Sequence, residues 1–125
     1  MRLLLDTHVF IWAVTDSRKL KTAVRRSILA ATEVHVSAAS LWEIAIKARL
    51  GKIDADPAEL AEAIDRSGFI ELPVYARHAV RVAQLPPHHN DPFDRLLIAQ
   101  AVSEPLLLLT ADSTLAQYSD LVQVV

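Results

Sequence analysis

A chain of 125 residues, 52% of them hydrophobic, is long enough to bury a core without covalent staples, and a single domain over residues 1–125 is the expectation. Cysteine is absent, which excludes a disulfide framework and thiolate metal sites, so any bound metal must be held by oxygen or imidazole, the preference of hard cations such as Mg²⁺ or Mn²⁺. The formal net charge of −2 carries no global basic signature, and Asp6 ends the first apolar run long before the roughly 18 residues of a membrane span; a cytoplasmic protein with no membrane association is expected.

In chain order, Arg2 to Asp6 reads as a buried strand of three leucines closed by an acid. An amphipathic stretch, Val9 to Val14, precedes a basic helix over 17–31, with Ser17 as N-cap and Leu20, Val24, Ile28 and Leu29 at helical spacing. Glu33 to Ser37 alternates as a second strand, and Ser37 or Ser40 caps a helix that runs to Leu50 and stops at Gly51. Asp56-Pro57 opens another helix, with Leu60, Ala61 and Ile64 on its apolar face, ending at Ser67-Gly68 before a short strand at 69–72. Pro73 to Leu85 is predicted helical with Ala76, Val80 and Ala83 inward, and Pro86 to Asn90 is an extended loop. Asp91-Pro92 starts a helix that Pro105 ends near Ser103. Leu106 to Leu109 is a strand, 112–118 a short helix, and 121–125 the last strand. Strands apolar on both faces alternating with helices predict an α/β fold, a single three-layer α/β/α domain around a parallel sheet of four or five strands.

Four acids fall where such a sheet binds ligands, at the carboxyl ends of strands and the starts of the following helices. Asp6 leaves the first strand, where it reads equally well as an N-cap. Glu43 follows Ser40 by three residues, as in a capping box, and precedes Lys47 by four, as in a surface ion pair; yet its surroundings, from Ala38 to Ile46, are apolar nearly all round, as in a largely buried helix. Asp94 lies three residues after Asp91, and two acids at the mouth of a buried helix exceed what capping requires. Asp112 follows Leu106 to Leu109, beside the place where Asp6 would emerge. Four carboxylates in one pocket repel one another unless a divalent cation neutralises them, so their conjunction points to a metal site.

The segments Leu4-Leu5-Asp6-Thr7-His8, Ser37 to Ile44, His89-Asn90-Asp91-Pro92-Phe93-Asp94-Arg95 through Ala101, and Leu109-Thr110-Ala111-Asp112 resemble those of PIN-domain ribonucleases, and among them VapC-type toxins of type II toxin–antitoxin systems. The resemblance spans essentially the whole chain. It implies an endoribonuclease whose Asp6, Glu43, Asp94 and Asp112 hold Mg²⁺ or Mn²⁺, with Thr7 and Thr110 as hydroxyl neighbours and Asp91 as an N-cap or outer acid. It further implies an RNA substrate, a VapB-type antitoxin and a homodimer. Metal-activated water would hydrolyse the phosphodiester to a 5′-phosphate and a 3′-hydroxyl.

Basic residues cluster at Arg18, Lys19, Lys21, Arg25 and Arg26 and around Lys47, Arg49 and Lys52, each read as a solvated face; Arg95, beside Asp94, is the best single candidate for contact with RNA. His88-His89 is read as solvent-exposed loop, His35 as exposed, and His8 as packed or outer-shell, so no histidine is recruited. Trp12 and Trp42 are read as core rather than as partner anchors. The non-enzymatic rival is a receiver-like signalling or interaction domain with an acidic Mg²⁺ pocket. Such a domain wants paired acids after the first strand and a late lysine, whereas Thr7 follows Asp6 and no lysine follows Lys52.

Overall fold

The computed structural model, which describes residues 1–125, places β1 (Arg2–Leu5) in the middle of the sheet, and Leu3, Leu4 and Leu5 are wholly buried as a result. After it come α1 (Thr7–Val14), α2 (Thr22–Ala30), β2 (Glu33–Ser37), α3 (Ala38–Arg49), α4 (Pro57–Arg66), β3 (Ile70–Leu72), α5 (Ala76–Val82), α6 (Pro92–Ser103), β4 (Leu107–Thr110), a 3-10 helix (Ser113–Tyr118) and β5 (Val122–Val124). All five strands are parallel, in the order β3-β2-β1-β4-β5, with Leu4 beside His35 on one flank and Leu108 on the other.

Because side chains alternate across a strand, neighbouring leucines enter different cores. Leu3, Leu5, Val34, Val36 and Leu109 pack with Val9, Phe10, Ile28, Ile44, Leu60 and Ile64 from the first four helices. Leu4, Leu72 and Leu108 pack on the opposite face with Leu97, Ile98, Ala101 and Leu115. The predicted three layers are therefore present, with the sheet at its upper expected size.

Strand order reverses at β1. The chain proceeds from β1 outward to β2 and β3, then returns to the other side of β1 for β4 and β5, leaving a crevice between the carboxyl ends of β1 and β4. Receiver-like domains use the order 2-1-3-4-5, so the topology itself separates this chain from that alternative. No helix is long and apolar enough to cross a membrane.

Several local expectations are corrected by packing. The basic helix starts at Thr22 rather than at Ser17, whose hydroxyl instead accepts from the Lys19 N–H in a turn, and Leu29 is exposed. In α4 the inward residues are Leu60, Ala63 and Ile64; Ala61 faces out. In α5 the inward residue is His78, with Val82 and Leu85 half-buried, while Val80 is 63% exposed. His78 can be buried because both ring nitrogens are satisfied: Nδ1 accepts from the Tyr75 N–H and Nε2 meets Glu104 at 2.8 Å. His35 is buried too, since β2 is an inner strand covered on both faces.

Candidate active site

Asp6 leaves β1 at the crevice, with its backbone N–H still bound to the Leu109 carbonyl of β4. One carboxylate oxygen accepts from the Val9 N–H at 2.8 Å and so caps α1; the other accepts from Thr110 Oγ1 at 2.5 Å. The cap and the site acid, which the sequence offers as alternatives, are the same side chain. Burial raises its pKa, against the hydrogen bonds from Thr110 and Val9, which lower it.

Glu43 is buried on α3 and does not form a capping box. The helix is capped by Ser37, which accepts from the Ala39 N–H, and Ser40 lies within the first turn and a half. Thr7 Oγ1 donates to Glu43 Oε1 at 2.6 Å and shares a 3.0 Å hydrogen bond with the Ser40 hydroxyl, while Lys47 Nζ donates to Glu43 Oε2 at 2.6 Å. The hydrogen bond from Lys47 to Glu43 holds the ammonium pKa up, and the charges of Asp91 and Asp94 add to it. Lys47 is thus a built-in cation of the pocket rather than part of a free solvated face.

Asp91 caps α6, accepting from the Phe93 and Asp94 N–H groups at 2.8 and 3.3 Å. Asp112 caps the 3-10 helix through the N–H and hydroxyl of Thr114, and its carboxyl is held below the usual range chiefly by the Thr114 hydroxyl. Asp94 differs from the others. No hydrogen-bond donor reaches its carboxylate; burial and the charges of Asp91, Glu43 and Asp6 push its pKa up to about 7. Asp6, Glu43, Asp91, Asp94 and Asp112 all line one cavity of about 340 Å³, together with Thr7, His8, Ala111 and Lys47.

All four predicted acids therefore meet at one edge of the sheet, with both threonines beside them and Asp91 on the rim. Arg95 does not join them. Its guanidinium donates to the Pro86 and Val82 carbonyls and to the Tyr118 hydroxyl, tying the preceding loop to the 3-10 helix, and it does not line the cavity.

His89, by contrast, is brought in although the sequence reading leaves it out. It is half-buried, with Nε2 3.3 Å from Asp112 Oδ2 and 3.8 Å from Asp94 Oδ2. Its only sequence signal is its place two residues before the cap of α6. His8 is exposed but lines the cavity, and its charge lowers the Asp6 pKa. Trp42, read as core, is 62% exposed and stands edge-on to Phe93, with ring centroids 5.2 Å apart; Trp12 is half-buried. Only one face of α3 is buried, so Trp42 and Ile46 stand outside.

The chain, whose parallel sheet opens into this pocket of converging carboxylates, belongs to the PIN-domain family, whose model matches residues 3–121. Ribonuclease VapC22 of Mycobacterium tuberculosis (strain ATCC 25618 / H37Rv) is 33% identical over 121 residues, which is 92% of this chain and 90% of that protein, so the chain is a homologue of the VapC ribonucleases. The fold matches a chain of the VapBC2 complex from Rickettsia felis bound to a DNA fragment from their promoter, with a TM-score of 0.72 and 14% identity, over 99% of this chain and 98% of that one. It also matches a chain of the DNA-bound VapBC complex from Salmonella typhimurium, with a TM-score of 0.70 and 16% identity, over 100% and 97% of the two chains.

Proposed function

We propose that this chain is a metal-dependent endoribonuclease, the toxin of a type II toxin–antitoxin pair, in which Asp6, Glu43, Asp94 and Asp112 hold Mg²⁺ or Mn²⁺. The observation that carries the metal is the charge balance of the cavity. Five carboxylates converge there with one lysine, and Asp94, without a donor of its own, is driven toward protonation near neutral pH. A donor set of carboxylate oxygens with no sulfur fits a hard divalent ion, which supplies the missing positive charge.

Bound there, such an ion supplies water of lowered pKa and charge stabilisation for the phosphoryl oxygens. The protein's own groups do the rest. Thr110 and the Val9 N–H orient Asp6; Thr7 and Lys47 orient Glu43; Asp91 anchors the start of α6 and so fixes Asp94. Asp91 remains at the rim as an outer acid. Lys47, the cation of the cavity, is placed to meet the backbone of an RNA strand as well as Glu43. Hydrolysis of a phosphodiester here leaves a 5′-phosphate and a 3′-hydroxyl, and RNA is chosen by shape rather than by participation of the 2′-hydroxyl.

The partners we assign are a VapB-type antitoxin and a second copy of the chain, acting in the cytoplasm. An exposed apolar groove of about 310 Å³, lined by Trp42, Ala79, Val82, Pro92, Phe93 and Leu96, supports a protein partner on the face next to the acids.

Purified protein in Mn²⁺ should cleave single-stranded RNA, and Asp6→Asn or Asp94→Asn should lower the rate at least about 100-fold with the circular dichroism spectrum unchanged. Mn²⁺ should also raise the melting temperature of the wild type more than that of Asp94→Asn. Cleavage that persists in EDTA, or in Asp94→Asn, would overturn the assignment.

A further inference from the structure

His89 sits within reach of two of the acids, and the hydrogen bonding of its ring decides what it can do there. The Asp91 N–H donates to His89 Nδ1 at 3.0 Å. A backbone amide can only donate, so Nδ1 keeps its lone pair and the neutral ring carries its proton on Nε2. With that bond made, the nitrogen that faces Asp112 and Asp94, at 3.3 and 3.8 Å, has an N–H and no lone pair. His89 therefore cannot ligate a metal through that nitrogen while Nδ1 accepts from the Asp91 N–H, even though its position among the acids suggests a ligand.

The loop that carries this N–H is fastened on every side. Arg95 Nη1 donates to the Pro86 carbonyl at 2.9 Å and to the Tyr118 hydroxyl at 3.1 Å. The His88 ring stands edge-on to Tyr118, with centroids 5.2 Å apart. His89 itself is held by Asp91, whose side chain caps the helix bearing Asp94. Such fastening preorganises a donor without the cost of ordering it at the moment of reaction.

We propose that His89 Nε2–H is a hydrogen-bond donor to a non-bridging oxygen of the scissile phosphodiester. The inference rests on the nuclease reading above. Without substrate the N–H has Asp112 Oδ2 as its nearest acid oxygen, at 3.3 Å, with Asp94 Oδ2 out of hydrogen-bond reach at 3.8 Å. Were the Asp112 carboxylate committed to a cation, the donor would lose its nearest acceptor, and an anionic phosphoryl oxygen would satisfy it. His89 is in this account a residue of the transition state, distinct from the metal ligands.

Two substitutions divide the functions of the two ring nitrogens. His89→Asn keeps an acceptor near the Nδ1 position for the Asp91 N–H and loses the distant donor; His89→Gln places an amide N–H near the Nε2 position. With the full chain in Mn²⁺ and a single-stranded RNA oligonucleotide, His89→Asn should lower kcat/KM about 100-fold, mostly through kcat. His89→Gln should recover about ten-fold of that loss. Mn²⁺ affinity, read by titration with electron paramagnetic resonance, should be unchanged or tighter in both, and the melting temperatures should confirm folding. A fall of Mn²⁺ affinity by about ten-fold or more in both variants would make His89 a ligand or ligand support and overturn the proposal. Wild-type turnover in His89→Asn would reduce it to the acceptor for the Asp91 N–H, again overturning the proposal while leaving the nuclease reading intact. A wild-type protein that binds Mn²⁺ and cleaves no RNA would remove the nuclease reading, and this assignment with it.

Discussion

Replacing Asp94 with asparagine removes a carboxyl group whose pKa is pushed up to about 7 by burial and by the charges of Asp91, Glu43 and Asp6. A raised acid binds a proton in the folded state that the unfolded chain has already released, so its contribution to stability falls as pH rises from about 4 through about 7. Below about pH 4 both states are protonated and the variant gains nothing. Without metal, Asp94→Asn should therefore be more stable than wild type at pH 8, by about 1 to 2 kcal/mol once solvent screening of a partly exposed group is allowed for, with the gain fading toward pH 4. Urea melts of both proteins across that range check this; a difference independent of pH would mean that Asp94 is not strained by its neighbours. The same side chain illustrates how much a residue type alone conveys. Its acid character and its place at the start of a helix are legible in the sequence, whereas the lack of any donor to its carboxylate depends on Asp91 having taken the free helix N–H groups.

At the level of elements, helix ends and helix faces had different fates. Caps depend on neighbours in sequence, and Asp6, Asp56, Asp91 and Asp112 all cap as local pattern indicates. Faces depend on what lies across from them. The short α5 has apolar residues at two competing spacings, and the one that wins is anchored by His78, which counts as polar by type and is buried because Tyr75, Gln100 and Glu104 all satisfy it. Arg95 is the converse case. Adjacency to Asp94 suggests a role toward substrate, but the helix turns it to the opposite side, where it holds the Pro86 and Val82 carbonyls and Tyr118. Arg95→Met should cost about 1 to 3 kcal/mol of stability by freeing these contacts while leaving Mn²⁺ affinity within about three-fold of wild type. Calorimetric unfolding and a metal titration measure the two quantities, and a loss of metal affinity without loss of stability would restore the residue to the site.

For the whole molecule, the surface beside the acids matters as much as the pocket. The pattern of α3 reads as a helix buried on nearly every side, yet one face meets Thr7 through Ser40 and Glu43 while the other leaves Trp42 and Ile46 bare. An apolar sequence reports that a surface must be covered, but not by which molecule. Trp42→Glu should change the stability of the isolated chain by no more than about 0.5 kcal/mol, since the ring is mostly exposed, and should abolish recovery of the antitoxin with a tagged toxin. A variant that still brings down the antitoxin would place its docking surface elsewhere.

The sequence by itself determined the parallel α/β architecture and its four acids, because both follow from short-range signals: leucine runs buried on both faces, aspartates just after β1 and β4 and at the start of α6, a lone acid in the apolar run of α3, and spacings that restart a helix. Only the tertiary structure decided how those acids are held. Thr110 reaches Asp6 across 104 residues and Thr7 reaches Glu43 across 36, and neither pairing leaves a trace in local pattern. The same holds for His89, whose residue type fits a solvated loop as well as it fits a site. Its ring is aimed by one backbone N–H and its loop by contacts from α6 and the 3-10 helix, and these exist only once separate segments pack against one sheet.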